Sequence, residues 1–160
     1  MIQRTLVLLK PDAVQRGHMG EIISRFEKVG LKMVGMKLVW ADKAFAKQHY
    51  AEHVGKKFYP GLEALITLGP VLAMVIEGVD AIETVRKLVG PTEPKAAPPG
   101  TIRGDFAHVS YGYADAKGIS IKNLIHASAN EADAKKELAL WFNDKEMHSY
   151  KTVHDVHVLE

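Results

Sequence analysis

The residue in this sequence best placed to do chemistry is His126, which closes the run Asn123-Leu124-Ile125-His126 and is followed by Ala127-Ser128 and a capped helical stretch. That stretch carries Glu137 beside Ala134 and Leu138, so a helix returning from a strand could bring a carboxylate to the imidazole. An unprotonated histidine is a competent nucleophile near neutral pH. A carboxylate partner fixes its tautomer and stabilises the charge that develops on phosphorylation. The plainer alternative is a half-buried histidine whose hydrogen bonds are merely satisfied.

A phosphate substrate would have to be met by side chains, because neither G-x-x-x-x-G-K-[ST] nor a strand-to-helix G-x-G-x-x-G is present. Lys10, Arg86, Thr92 and Arg103 are the candidates. Arginine offers a planar fork that matches phosphate oxygens, and lysine a point charge. Taken singly, each reads more readily as a solvated surface group. A competing pattern is His49-Tyr50-Ala51-Glu52-His53, which matches H-x-x-E-H and would place two histidines on one helix face as in a zinc metallopeptidase. Catalytic zinc needs a third protein ligand, and no downstream acidic helix supplies one at clear spacing. His154 and His157 read as part of an exposed tail.

The elements that must position these groups alternate along the chain. Thr5 to Leu9 reads as a central strand stopped by Lys10-Pro11, and Ile22, Ile23, Phe26 and Val29 mark a helix face ended by Gly30. Leu31 to Trp40 reads as a second strand with Val34, Met36, Leu38 and Trp40 on one face and a bulge near Gly35. Asp42 to His53 reads as helix, Phe58-Tyr59-Pro60-Gly61 as a break before a short helical turn, and Val71 to Ile76 as a buried strand. Asp80 with Glu83 predicts a capping box for a helix closed by Gly90-Pro91. Pro91 to Gly104 reads as a long loop, Ile119 to Ser128 as the last strand, and Asn130 with Asp133 as the cap of a final helix. This order predicts an α/β (α+β) protein of the ferredoxin-like class: a βαββαβ sandwich with a four-stranded antiparallel sheet covered by helices.

Length and composition agree with that reading. A chain of 160 residues with 47% hydrophobic and 25% charged residues suits one folded domain with a real core. The formal charge of +2 is too small to argue for nucleic acid as a partner. Cysteine is absent, which removes thiolate chemistry and disulfides. The apolar run after Met1 is short for a signal segment, and no stretch has the length of a membrane span, so we expect a soluble, cytoplasmic protein.

Four motifs in order, Lys10-Pro11-Asp12-Ala13-Val14-Gln15-Arg16-Gly17, Gly69-Pro70-Val71, Pro99-Gly100-Thr101-Ile102-Arg103-Gly104-Asp105 and Asn123-Leu124-Ile125-His126-Ala127-Ser128, resemble the nucleoside diphosphate kinase family. The resemblance runs from Arg4 to about Phe142 and implies one such domain over 1–160. It implies ping-pong transfer of a γ-phosphoryl group from ATP or another nucleoside triphosphate to a nucleoside diphosphate through a phosphohistidine, with Mg²⁺ carried by the nucleotide. By resemblance His126 is the nucleophile, Glu137 orients its ring, Ser128 supports that contact and Tyr50 lies behind the nucleophile. Lys10, Arg86, Thr92 and Arg103 are then phosphate ligands, Asn123 with Lys10 contacts the sugar, and Phe58 with Leu62 receives the base. A homo-oligomer, hexamer or tetramer, is also implied.

Two features depart from the family pattern. Ala127 and Ala129 stand where the family usually has Gly and Asp, and alanine at 127 requires a backbone that avoids positive φ. Near 109–118 an insertion reads as an extra surface loop, and 150–160 as a C-terminal tail. These departures motivate the alternative of a catalytically weakened nucleotide- or nucleic-acid-binding module.

Overall fold

Strand β1 (Ile2–Leu9) lies in the middle of the sheet because Leu6 to Leu9 are apolar on consecutive positions and so serve both faces. Pro11, with no N–H to give, stops the ladder and opens the short helix α1 (Pro11–Gln15). The computed structural model describes every residue from Met1 to Glu160. The chain continues through α2 (Met19–Lys28), β2 (Lys32–Val39), α3 (Lys43–His49), α4 (Tyr59–Ile66), β3 (Val71–Val79) and α5 (Ala81–Val89). It ends with α6 (Ile102–Phe106), α7 (Tyr111–Lys117), β4 (Ile125–Ala127) and α8 (Glu131–Trp141).

The sheet order is β2-β3-β1-β4 with every neighbouring pair antiparallel. This is the ferredoxin-like arrangement, with α3 and α4 placed between β2 and β3. Alternate residues of the central strands feed two cores. Val7, Leu9, Leu72, Met74 and Ile76 pack against Ile22 and Phe26 of α2 and Val85 and Val89 of α5. Leu6, Leu8, Ala73 and Val75 pack against Ala46, Ile66, Trp141 and Phe142. Both faces are covered, which is why β1 and β3 read as continuous apolar runs.

Several expectations change. The bulge near Gly35 is present as a register shift between Met33 and Gly35, and it separates the residues expected on one face. Val34 turns into the core, whereas Met36 and Leu38 on this edge strand and Trp40 just after it are exposed. The capping box at Asp80 does not form. Asp80 takes a left-handed backbone with φ 46°, its carboxylate accepts from the α-amino group of Met1 at 3.1 Å, and the Gln3 side chain accepts the Ile82 N–H instead. The Asp42 helix stops at His49, and a 3₁₀ turn over Ala51–His53 follows.

The Pro91–Gly104 segment is not structureless, since it holds a 3₁₀ turn at Pro94–Ala96 and the start of α6, capped by Thr101. The last strand is shorter than Ile119 to Ser128, because the backbone at Leu124 is left-handed with φ 73° and only Ile125–Ala127 pair with β1. The segment read as an extra loop near 109–118 contains a helix, α7, capped by Ser110 and ended by Gly118 in the left-handed region. The tail folds back on its own chain: the Tyr150 hydroxyl donates to the Met33 carbonyl at 2.7 Å and Lys32 pairs with Asp155 at 3.2 Å. His154 is half-buried against Gly30, while His157 stays exposed.

Candidate active site

The site is assembled around the kink that precedes β4. A left-handed leucine is costly, and it is held from two sides. The Leu124 N–H donates to the Asp12 carboxylate at 2.9 Å, and its carbonyl accepts from the Lys10 N–H at 2.8 Å. The end of β1 thereby sets the start of β4. Asp12→Ala removes the acceptor of a buried N–H and is expected to cost about 1–3 kcal/mol in urea unfolding. A surface substitution such as Lys28→Ala should leave the unfolding free energy unchanged.

Asn123, itself buried, joins three of the predicted polar residues. Its side-chain oxygen accepts from the Lys10 ammonium, its amide NH₂ donates to the Thr92 carbonyl at 2.8 Å, and its own carbonyl accepts from Arg103 Nε at 3.2 Å. Arg103 also donates to the carbonyls of Gly90 at 3.0 Å and Ile125 at 2.6 Å. The guanidinium thus clasps the end of α5, the kink and the residue before His126. Burial lowers the Lys10 ammonium to about 8, with Asp12 opposing and Arg103 reinforcing the shift. Burial and then the nearby charge of Arg86 lower Arg103 to about 10. Two cations gathered this closely are unfavourable alone, and an anion between them would relieve both.

His126 sits on β4 opposite Leu8 and stays partly exposed. Its Nε2 lies 2.9 Å from Glu137 Oε1, and the Ser128 hydroxyl donates to Glu137 Oε2 at 2.6 Å while accepting the Leu6 N–H. Burial by itself would raise the Glu137 carboxyl. The hydrogen bond and charge of His126 and the bond from Ser128 outweigh burial and hold Glu137 below the usual carboxylate range. An ionised carboxylate only accepts, so the proton of neutral His126 resides on Nε2 and the lone pair on Nδ1. Such a ring is a nucleophile through Nδ1.

The remaining predicted residues surround this pair. The Tyr50 ring lies against His49 at 4.6 Å between centroids, and burial, aided by Glu137 and Asp12, keeps its phenol protonated. Phe58 is exposed at the start of α4, with Leu62 half-buried one turn on. Arg86 is exposed on α5 and makes no ion pair. Thr92 is also exposed, and only its carbonyl is engaged. Ala127 is in β4 with negative φ, so the added β-carbon carries no backbone strain.

The zinc arrangement is not built. His49 turns to Trp141 and His126, whereas His53 lies beside Phe58 and Lys56, and no group of three His, Asp or Glu side chains is arranged to hold a metal. Three contributors escaped sequence reasoning: Asp12 as the acceptor at the kink, His49 as a neighbour of His126, and Trp141 as its partner. Asp12 lies inside the Lys-Pro-Asp motif, but the other two carry no local signal.

A carboxylate-paired imidazole on β4, with buried cations bonded to Asn123 and Ile125 just before it, supplies the nucleophile and the positive charge that a phosphotransferase needs. The family model described as nucleoside diphosphate kinase matches residues 3–147. A nucleoside diphosphate kinase of Borreliella burgdorferi is 50% identical over 157 residues, covering 94% of this chain and 93% of its own. One from Pyrococcus furiosus is 52% identical over 149 residues, covering 93% and 88%. Among solved structures, a transition-state mimic of the Borrelia burgdorferi enzyme with bound vanadate and ADP superposes with a TM-score of 0.93 at 50% identity, covering 96% of this chain and 95% of that one. The halophilic enzyme from Halobacterium salinarum in complex with CDP gives a TM-score of 0.86 at 44% identity, covering 98% and 97%. The chain belongs to the nucleoside diphosphate kinase family.

Proposed function

We propose that this enzyme transfers the γ-phosphoryl group between nucleoside tri- and diphosphates by a ping-pong reaction through a phosphohistidine at His126. The supporting observation is the Nε2 contact with Glu137, which leaves the lone pair of a neutral ring on Nδ1. Nδ1 donates its lone pair to the γ-phosphorus, and the bond from phosphorus to the β-bridging oxygen breaks, releasing the diphosphate. The proton stays on Nε2, where Glu137 neutralises the positive charge the ring acquires. A terminal oxygen of a second diphosphate then attacks the phosphohistidine and restores the ring.

Lys10, Arg86, Thr92 and Arg103 would meet the phosphates, Asn123 and Lys10 the sugar, and Phe58 with Leu62 the base. An exposed aromatic face stacks on any base, so little base preference is needed. Mg²⁺ would be held by the phosphates themselves, since no three His, Asp or Glu side chains are grouped to hold a metal. Its role there is to neutralise charge on the transferred group. Incubation with γ-labelled ATP should leave acid-labile phosphate on the protein, and a protein that exchanges phosphate without such a label would defeat the mechanism.

The low value for Lys10 has a pH signature. The folded ammonium, at about 8, loses its proton before the unfolded one near 10.5. Between these values the unfolded chain binds more protons, so this group adds stability as pH rises, by at most about 1.4 kcal/mol per unit. Below about pH 8 its burial costs stability. The difference in unfolding free energy between Lys10→Met and the parent should therefore shrink as pH rises through that window. ADP affinity of the parent should fall over the same range, and a flat profile in both would remove Lys10 from the phosphate site.

We further infer a single domain over 1–160 with α7 inserted, a homo-oligomer of hexamer or tetramer size, and a cytoplasmic setting. The exposed apolar residues Met36 and Leu38 on the edge strand, with Trp40 just beyond it, support self-association. No helix is long and apolar enough to cross a membrane. Nothing in the net charge of +2 calls for a nucleic-acid partner.

A further inference from the structure

We infer that His49 is a positioning residue for the phosphoryl-transfer step: a neutral ring, held in one tautomer by Trp141 and set edge-on against His126, that keeps the nucleophile from turning. The inference rests on the assignment of His126 above.

Three ring contacts connect the core to the nucleophile. Phe45 meets Trp141 at 4.7 Å and 89°, Trp141 meets His49 at 5.5 Å and 87°, and His49 meets His126 at 5.0 Å and 85°. Each is an edge-to-face contact, the geometry aromatic rings prefer. Trp141 is buried and belongs to the core between the sheet and α3, so the far end of the series is rigid. Glu137 holds His126 at a single ring atom, Nε2, which lies close to the Cβ–Cγ axis, so this one hydrogen bond does little to stop the ring from swinging about that axis. The perpendicular His49 ring limits that swing.

The tautomer of His49 follows from its partner. An indole N–H can only donate, and Trp141 Nε1 lies 3.2 Å from His49 Nδ1, so Nδ1 accepts and the proton is on Nε2. Nε2 is buried without a hydrogen-bond partner. A buried N–H left unmet is unfavourable, and a plain hydrophobic residue would avoid it. What the imidazole adds is an acceptor for Trp141, and through it a fixed orientation. Burial, then the proximity of His126, lower His49 to about 3, with Glu137 opposing and His53 adding to the shift. His49 therefore brings no second cation to compete for Glu137.

The test uses the full chain with His49→Phe, Trp141→Phe and the double variant, reading phosphohistidine formation from ATP by rapid quench. Each single change should slow transfer about tenfold at unchanged ATP affinity, because an aromatic ring stays at each position while the hydrogen bond that sets the orientation is lost. The double variant should be about tenfold slow, not a hundredfold, since both changes break one hydrogen bond. Transfer at the parental rate in His49→Phe, additive losses in the double variant, or a loss of ATP affinity that accounts for the slowing would each overturn the inference. Two-bond ¹H–¹⁵N spectra of the parent give a check that needs no variant to fold. His49 should stay in the Nε2–H form between about pH 5 and 8, and an Nδ1–H or imidazolium signal contradicts the inference. A parent unlabelled at His126 would instead defeat the assignment of the nucleophile.

Discussion

Replacing His126 with alanine should abolish the phosphoenzyme and lower nucleotide exchange by at least about 10⁴-fold, because a covalent route loses its only bond-forming atom. The fold should hardly notice. His126 is partly exposed and its deletion frees Glu137 to keep its bond from Ser128, so the unfolding free energy should change by about 1 kcal/mol or less. ADP should bind nearly as before, since the cations are contributed by other segments. Acid-labile label on His126→Ala at the parental level would show that another residue carries the phosphate. The complementary variant Glu137→Gln keeps an acceptor near Nε2 but removes the charge that compensates the phosphorylated ring, and should fall between the parent and His126→Ala.

Arg103→Ala should have the other large effect, and on two quantities at once. Its guanidinium serves the carbonyls of Gly90, Asn123 and Ile125, and removal strands these acceptors in a buried region. Losing three charge-assisted bonds should cost about 3–5 kcal/mol. Transfer should fall by roughly 10²-fold or more even where the protein is folded, as the residue before His126 loses its anchor and a cation is lost from the cluster. Arg86→Ala is the control. Arg86 is exposed and unpaired, so its loss should lower activity without moving stability by more than about 0.5 kcal/mol. Equal melting behaviour of the two variants would contradict the clasp.

How far the sequence could be read depended on the range of the interactions involved. Strand β1, helix α2 and the cap at Asn130 were legible, because each rests on neighbours or on one helical repeat. The capping box at Asp80 failed for the opposite reason: the α-amino group of Met1, distant in the chain, reached the Asp80 carboxylate instead. β4 was overestimated because the left-handed turn at Leu124 is imposed by Asp12, distant in the chain and adjacent in space. The segment read as a loop near 109–118 holds α7, whose Ser110 cap and terminal Gly118 could have been recognised.

The candidate site divides in the same way. The sequence alone determined which residue types were available, their order, and the family motifs that carry them, because these are properties of the polymer. Whether Arg103 met solvent or clasped backbone, whether His49 faced a metal or Trp141, and how low Lys10 would titrate were decided only by the tertiary structure. Those outcomes depend on burial and on through-space distance, and neither is encoded by spacing along the chain.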